Sequence, residues 1–327
     1  MSIQYNQIIC DLSRPLEPLP TGQNEVIRKI AGIRAVFFDI YGTLFISGSG
    51  DVGTDGVSSG TSTNQNGSNS LGESIGKIFR TLCHEALDAT KCESGAFRMP
   101  PHSGSPDSVA LGQKLIVCYQ QEILRVHAKQ KQAGIDYPEV DIVEIWRTAA
   151  QSVIALPDEA ISNLDVKCLA IEYEARTNPV WPMPFAIDCI DRLASANLML
   201  GIISNAQFYT PLLFPALMQR TLKELAFSPE MQYYSYRYGM AKPSEFLYRQ
   251  ALAELEEKGI KPSEILYVGN DMLNDIMPAA RVGFQTALFA GDQRSLRLRA
   301  GDSRVAGVVP DIVVKDLTRL VDCVLDD

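Results

Sequence analysis

An α/β fold, a doubly wound parallel sheet with a second, smaller α-helical domain, is predicted by three features of this 327-residue sequence. The run Ala35-Val36-Phe37-Phe38 is continuously apolar and stops at Asp39, as a short strand buried on both faces of a parallel sheet does. Beyond Pro179, strand-like apolar runs alternate with helix-like segments, the pattern of successive right-handed crossovers. Between these two regions lies a stretch of helical periodicity.

Residues 1–32 read as an N-terminal arm, extended through the proline-bearing stretch 11–22 and ending in a short helix over Asn24–Ile30. Residues 33–46 and 179–327 form the α/β domain. Its strands are predicted at Ala35–Phe38, Leu198–Ile203, Gln232–Tyr236, Ile265–Val268, Thr286–Phe289 and Ile312–Val314. Residues 47–178 form the insert. It opens with a Gly-, Ser-, Thr- and Asn-rich segment, Ser47–Gly72, read as a mobile loop because almost nothing in it can anchor to a core. Helices follow over Leu71–Lys91, Asp107–Gln132, Val140–Leu156 and Ala160–Arg176. Phe79, Leu82, Leu115, Tyr119, Leu124, Ile142 and Trp146 form the stripe that should pack these helices together. Tyr137-Pro138, just past Gly134, reads as a turn.

A net charge of -9 and a pI near 5.0 give no attraction to nucleic acid or anionic membranes, so neither is expected as a partner. The cysteines include no Cys-x-x-Cys pair and read as reduced thiols. No apolar stretch reaches membrane-span length and no signal-peptide pattern opens the chain, which predicts a cytoplasmic protein.

In open parallel sheets, ligands bind beyond the carboxyl ends of the strands. Four polar groups fall there or at the following helix starts: Asp39-Ile40-Tyr41-Gly42-Thr43-Leu44, Ser204-Asn205, Lys242-Pro243, and Gly269-Asn270-Asp271 with Asn274-Asp275. Singly, each is a turn or helix cap. Together they supply a nucleophilic carboxylate, hydroxyl and amide donors, a fixed cation and further carboxylates.

In its order, and over most of the chain from about residue 33 onward, this set resembles the four motifs of the haloacid dehalogenase-like (HAD) hydrolase superfamily. The first motif, Phe37 to Leu44, and the fourth, Tyr267 to Ile276 running on to Ala279-Ala280 and Gly283, carry most of the likeness. The resemblance implies a Rossmann-like core and a helical cap. It also implies hydrolysis of a small anionic substrate through a covalent intermediate on Asp39. Gly42, Thr43, Ser204, Asn205 and Lys242 would bind the anionic group, with Lys242 offsetting the nucleophile's charge, and Asp275 would complete the polar site. A Mg²⁺ cofactor would draw on Asp39, Tyr41, Asn270, Asp271 and Asp275.

Two positions depart from the family pattern. Tyr41 stands where most phosphatases of this superfamily place an acid/base Asp; a phenol, with a pKa ordinarily about 10, is a poor base near neutrality. Tyr at this position resembles the 2-haloacid dehalogenases, whose halide leaves without a proton. Asn270 stands where a metal-binding Asp is usual, although its amide oxygen could still ligate Mg²⁺. Phosphate ester or anhydride hydrolysis is the expectation, with metal-free 2-haloacid hydrolysis and a catalytically decayed binding module as alternatives. Arg80, Arg98 and Arg125 are the halide-site candidates. Gly48-Ser49-Gly50-Asp51-Val52-Gly53 spells a dinucleotide fingerprint but leads into no helix. His84, His102 and His127 lack zinc-ligand spacing.

Overall fold

A computed structural model describes residues 2–49, 65–90 and 106–325. Two compact units divide the chain: Met1–Gly53, Ile135–Glu139 and Asn178–Asp327 in the first, Thr54–Gly134 and Val140–Thr177 in the second. Arg98, His102, Cys92 and most of the Gly48–Gly53 segment lie outside the described residues.

The first unit is built on six parallel strands in the order β5-β4-β1-β6-β7-β8. They are β1 (Ala35–Phe38), β4 (Met199–Ser204), β5 (Phe227–Tyr234), β6 (Ile265–Gly269), β7 (Gln285–Phe289) and β8 (Ile312–Val314). β1 sits between β4 and β6, with Phe38 level with Ile202 on one side and Val268 on the other. The strand order reverses direction here, which makes the carboxyl end of β1 the switch point where such sheets open a crevice. All four residues of β1 are buried, as its unbroken apolar run requires. Gly201 in β4 is set by packing: a Cβ there would stand 2.2 Å from the Phe37 ring. A separate antiparallel pair, β2 (Phe45–Ser47) and β3 (Val180–Pro182), joins the two ends of the insert, with Ile46 opposite Trp181.

The second unit is helical, with helices at Gln65–Ala89, Pro106–Gln132, Ile142–Val153, Asp158–Asn163 and Val166–Thr177. The first two approach at glycine: a Cβ on Gly76 would lie 1.9 Å from the Ser108 carbonyl oxygen, and one on Gly112 1.9 Å from that of Gly72. Asp141 caps the third helix by accepting from Val143 N at 2.9 Å. Trp146 is fully buried and stacks on Tyr119 with centroids 4.1 Å apart.

Several expectations need correction. Ser2–Leu12 is a helix. Asn24–Ile30 is not: it is extended, with Val26 bridging Val313 and Ile30 N donating to the Cys323 carbonyl, because β8 is the sheet's last strand and its free edge accepts a partner. The loop assigned to Ser47–Gly72 ends earlier, since the helix already runs from Gln65 and its small residues face the Pro106–Gln132 helix. β5 extends over Phe227–Tyr234, and Ser235–Tyr238 turns into a helical segment. Ala160–Arg176 is two helices. Leu124 is exposed and does not join the packed stripe. Tyr137-Pro138 is no free turn: Pro138 pairs antiparallel with Met240 and the Tyr137 carbonyl accepts from Ala241 N at 2.8 Å.

Candidate active site

Asp39 follows β1 directly, and its backbone N–H donates to the Val268 carbonyl at 2.9 Å, so the sheet ladder itself fixes the first side chain beyond the strand. Its carboxylate lies 2.9 Å from the Lys242 ammonium. Lys242 Nζ also contacts Asp275 Oδ1 at 2.6 Å and the Tyr267 hydroxyl at 3.2 Å. Asp39, Lys242 and Asp275 are all buried, so one cation bridges two carboxylates in a low-dielectric setting.

The supports of this triad are local and specific. Asp275 enters through a π-helical turn, Met272–Ile276, which Asp271 caps by accepting from Leu273 N and Asn274 N. A π turn carries one residue more than an α turn, and that extra residue brings Asp275 back over the strand end. There Gly269 leaves the space it needs, since a Cβ would sit 2.4 Å from the Asp275 carboxyl carbon. Asp275 Oδ2 accepts from Asp271 N at 2.9 Å. Lys242 is pinned through its backbone: Asn205 Oδ1 accepts from Lys242 N at 2.7 Å and Asn205 Nδ2 donates to Lys242 O at 3.2 Å.

The electrostatics follow from burial and these pairs. Burial works against the Lys242 ammonium, yet Asp275 and Asp39 together outweigh it and hold the amine above its ordinary value, so it stays cationic. Burial lifts the Asp275 carboxyl to about 7, with Lys242 opposing the rise. Burial, reinforced by the Asp275 charge, pushes the Tyr267 phenol well up. Tyr267 is thus a neutral hydrogen-bonding group throughout the physiological range.

The other residues read from the sequence gather at the same strand ends with distinct partners. Thr43 Oγ1 donates to Asn270 Oδ1 at 3.2 Å, and Asn270 Nδ2 donates to the Ser295 carbonyl at 2.6 Å. Gly42 has φ +81°, and a Cβ on it would stand 2.5 Å from Ser295 Cβ, so both backbone conformation and space require glycine. Ser204 is buried at the end of β4, its hydroxyl 3.4 Å from the Asn205 carbonyl. The Tyr41 hydroxyl is 3.0 Å from Thr210 Oγ1. Asp271 is gripped by Arg299, Nη2 to Oδ2 at 2.5 Å and Nε to Oδ1 at 3.1 Å. Among the described residues, no group of three or more His, Cys, Asp or Glu is arranged to hold a metal ion.

Tyr267, Arg299, Ser295 and Thr210 were not picked out in the sequence as site residues. Only Tyr267 left a signal there, as a polar ring in an otherwise aliphatic strand; Thr210 opens a short 3-10 helix, Thr210–Leu212, and Arg299 and Ser295 lie outside helices and strands. Of the arginines proposed for a halide site, Arg125 is exposed and paired with Glu122, while Arg80 is buried within the helical unit.

A family model described as haloacid dehalogenase-like hydrolase matches residues 33–283. The Rhythmically expressed gene 2 protein of Drosophila melanogaster is 26% identical over 161 residues, 46% of this chain and 58% of that protein, so the match spans little more than half of the relative's length. Among solved structures, a 2-haloacid dehalogenase from Pseudomonas syringae pv. Tomato is 17% identical, with a TM-score of 0.50, covering 89% of this chain and 97% of that one. A HAD phosphatase from Thermococcus onnurineus is 16% identical at a TM-score of 0.43, covering 89% and 97%.

Proposed function

Because this chain belongs to the haloacid dehalogenase-like hydrolases, matched from residue 33 to 283, we propose that it hydrolyses a small anionic substrate through a covalent bond to Asp39, releasing a leaving group that departs as a stable anion. The observation carrying this reading is the buried Lys242 ammonium bridging Asp39 and Asp275. An ammonium there holds the Asp39 carboxylate aligned for attack and offsets the charge of an incoming anion.

In the phosphoryl form of the reaction, an Asp39 carboxylate oxygen bonds to phosphorus while the bond to the leaving group breaks with its electron pair. Water then attacks phosphorus and frees Asp39. Thr43 and Ser204 are the hydroxyls that would meet the anionic group. The Tyr41 hydroxyl is engaged with Thr210 and is a weak acid, which disfavours simple alkyl esters and favours an acyl phosphate or other anhydride.

The donor set offered for Mg²⁺ does not fit the ion. Mg²⁺ demands near-octahedral oxygen ligands. Asp39 and Asp275 share an ammonium, Asp271 is forked by Arg299, and the Asn270 amide is tied at both ends. The same observation favours a second reading, displacement of halide from a 2-haloacid, in which Asp39 attacks carbon and water afterwards attacks the ester carbonyl.

Isotope labelling separates the two. Turnover in H₂¹⁸O should place the label in released phosphate and leave Asp39 unlabelled if the attack is at phosphorus, whereas an ester intermediate puts ¹⁸O into the Asp39 carboxylate. Asp39→Asn should abolish either reaction. Phosphate or halide release undiminished in Asp39→Asn would sink the nucleophile assignment; absence of turnover in both assays would leave ligand binding as the role.

A further inference from the structure

Glu139 belongs to Ile135–Glu139, the five residues of the insert that pack with the first unit. Its backbone is stitched to the strand-like approach to Lys242: Glu139 N donates to the Gly239 carbonyl at 3.1 Å, Pro138 pairs with Met240, and Ala241 N donates to the Tyr137 carbonyl. Its carboxylate bonds Ser235 and the loop after β4. Oε2 accepts from the buried Ser235 hydroxyl at 2.7 Å, and that hydroxyl oxygen accepts from Ala206 N at 2.9 Å. Oε1 accepts from Gln207 Nε2 at 3.3 Å. Gln207 N in turn donates to Thr210 Oγ1, the atom that meets the Tyr41 hydroxyl.

We propose that Glu139 is a positioning residue: its two oxygens clamp the loop after β4, which begins at Asn205, to the segment that delivers Lys242. A half-buried carboxylate needs charge-assisted hydrogen bonds to be worth keeping. One of those it makes ends at Gln207 and the other reaches Ala206 through the Ser235 hydroxyl, so both bear on the two residues that follow Asn205, the side chain that holds Lys242 by both N–H and C=O. The clamp therefore sets the geometry of the ammonium against Asp39 without touching substrate. Glu139 is also the carboxylate that the missing acid at position 41 would invite one to assign as a proton donor; its partners, Ser235 and Gln207, place it in the scaffold instead.

This rests on the aspartyl-nucleophile reading, and the test separates the two. Amide hydrogen exchange on the full chain needs no substrate: Glu139→Ala should raise exchange at Ala206 and Gln207 by about tenfold or more, with β6 and β7 unchanged. In the phosphate- and halide-release assays, kcat should fall by about tenfold or more with KM changed less than about threefold, and Glu139→Gln, which keeps an acceptor oxygen, should recover most of both losses. Ser235→Ala cuts the same link from its other end, so adding it to Glu139→Ala should bring little further loss. Unaltered exchange in both alanine variants overturns the clamp whether or not turnover is found. A Glu139→Gln chain as impaired as Glu139→Ala, with wild-type exchange, overturns it in favour of proton transfer. Loss of turnover in wild type with the exchange result intact would count only against the nucleophile reading.

Discussion

At the scale of single residues, the site is organised by one ammonium between two carboxylates, and removing the ammonium leaves two buried carboxylates without a cation. Asp39→Asn should lower turnover by ~10³-fold or more while the fold persists, read from product release and circular dichroism. Lys242→Met should cost about 3 kcal/mol or more of stability, because Asp39 and Asp275 then face each other without a cation; urea unfolding measures it. Asp275 gives a pH signature. Its carboxyl binds a proton more tightly folded, at about 7, than at its ordinary 3.8. Its contribution to stability is therefore greatest below pH 4 and declines as pH rises towards 7, where the folded protein has lost the proton that the unfolded chain gave up earlier. Denaturation from pH 4 to 8 should show a steeper fall for the native chain than for Asp275→Asn; equal slopes would refute the raised value.

At the scale of elements, glycines and caps decide how closely segments approach. Gly112→Ala should destabilise by about 1–3 kcal/mol, because the new methyl meets backbone, which cannot swing aside as a side chain can. Asp141→Ala should cost about 1 kcal/mol through the lost N-cap bond. Urea midpoints at constant slope check both. The strands were legible in the sequence because burial on two faces leaves an unbroken apolar run, and Asp39, Ser204 and Asn270 were legible because each interrupts or ends such a run. The helix Ser2–Leu12 carries Tyr5, Ile8, Ile9 and Leu12 at helical spacing, a signal overshadowed by the prolines that follow it, whereas the π turn at Met272–Ile276 has no periodicity of its own. The grip of Arg299 on Asp271 and of Glu139 on Ser235 joins residues 28 and 96 positions apart, distances over which local pattern carries no information.

At the scale of the whole molecule, the acidic balance of -9 coexists with a site whose carboxylates are each met by a cation. This gives a prediction for the intact chain. Millimolar Mg²⁺ should leave the thermal midpoint unchanged, and EDTA should leave turnover unchanged. A metal-dependent rise in either would show that Arg299 or Lys242 yields its carboxylate to the ion. No described helix is long and apolar enough to cross a membrane. The family assignment explains the sheet order and the strand-end location of the polar residues; selectivity is left to segments for which the shared motifs make no provision.

The return of Ile135–Glu139 to the first unit bears on how this protein could be taken apart. The helical insert is not a detachable cassette: cutting the chain near residues 53 and 178 and closing the gap would also remove the strip that borders Lys242 and the carboxylate that holds the loop after β4. A graft of the second unit onto another scaffold would carry that strip away from its place. Recombination that respects this architecture must keep five residues at home while exchanging those on either side, so new helices would have to be introduced as two pieces.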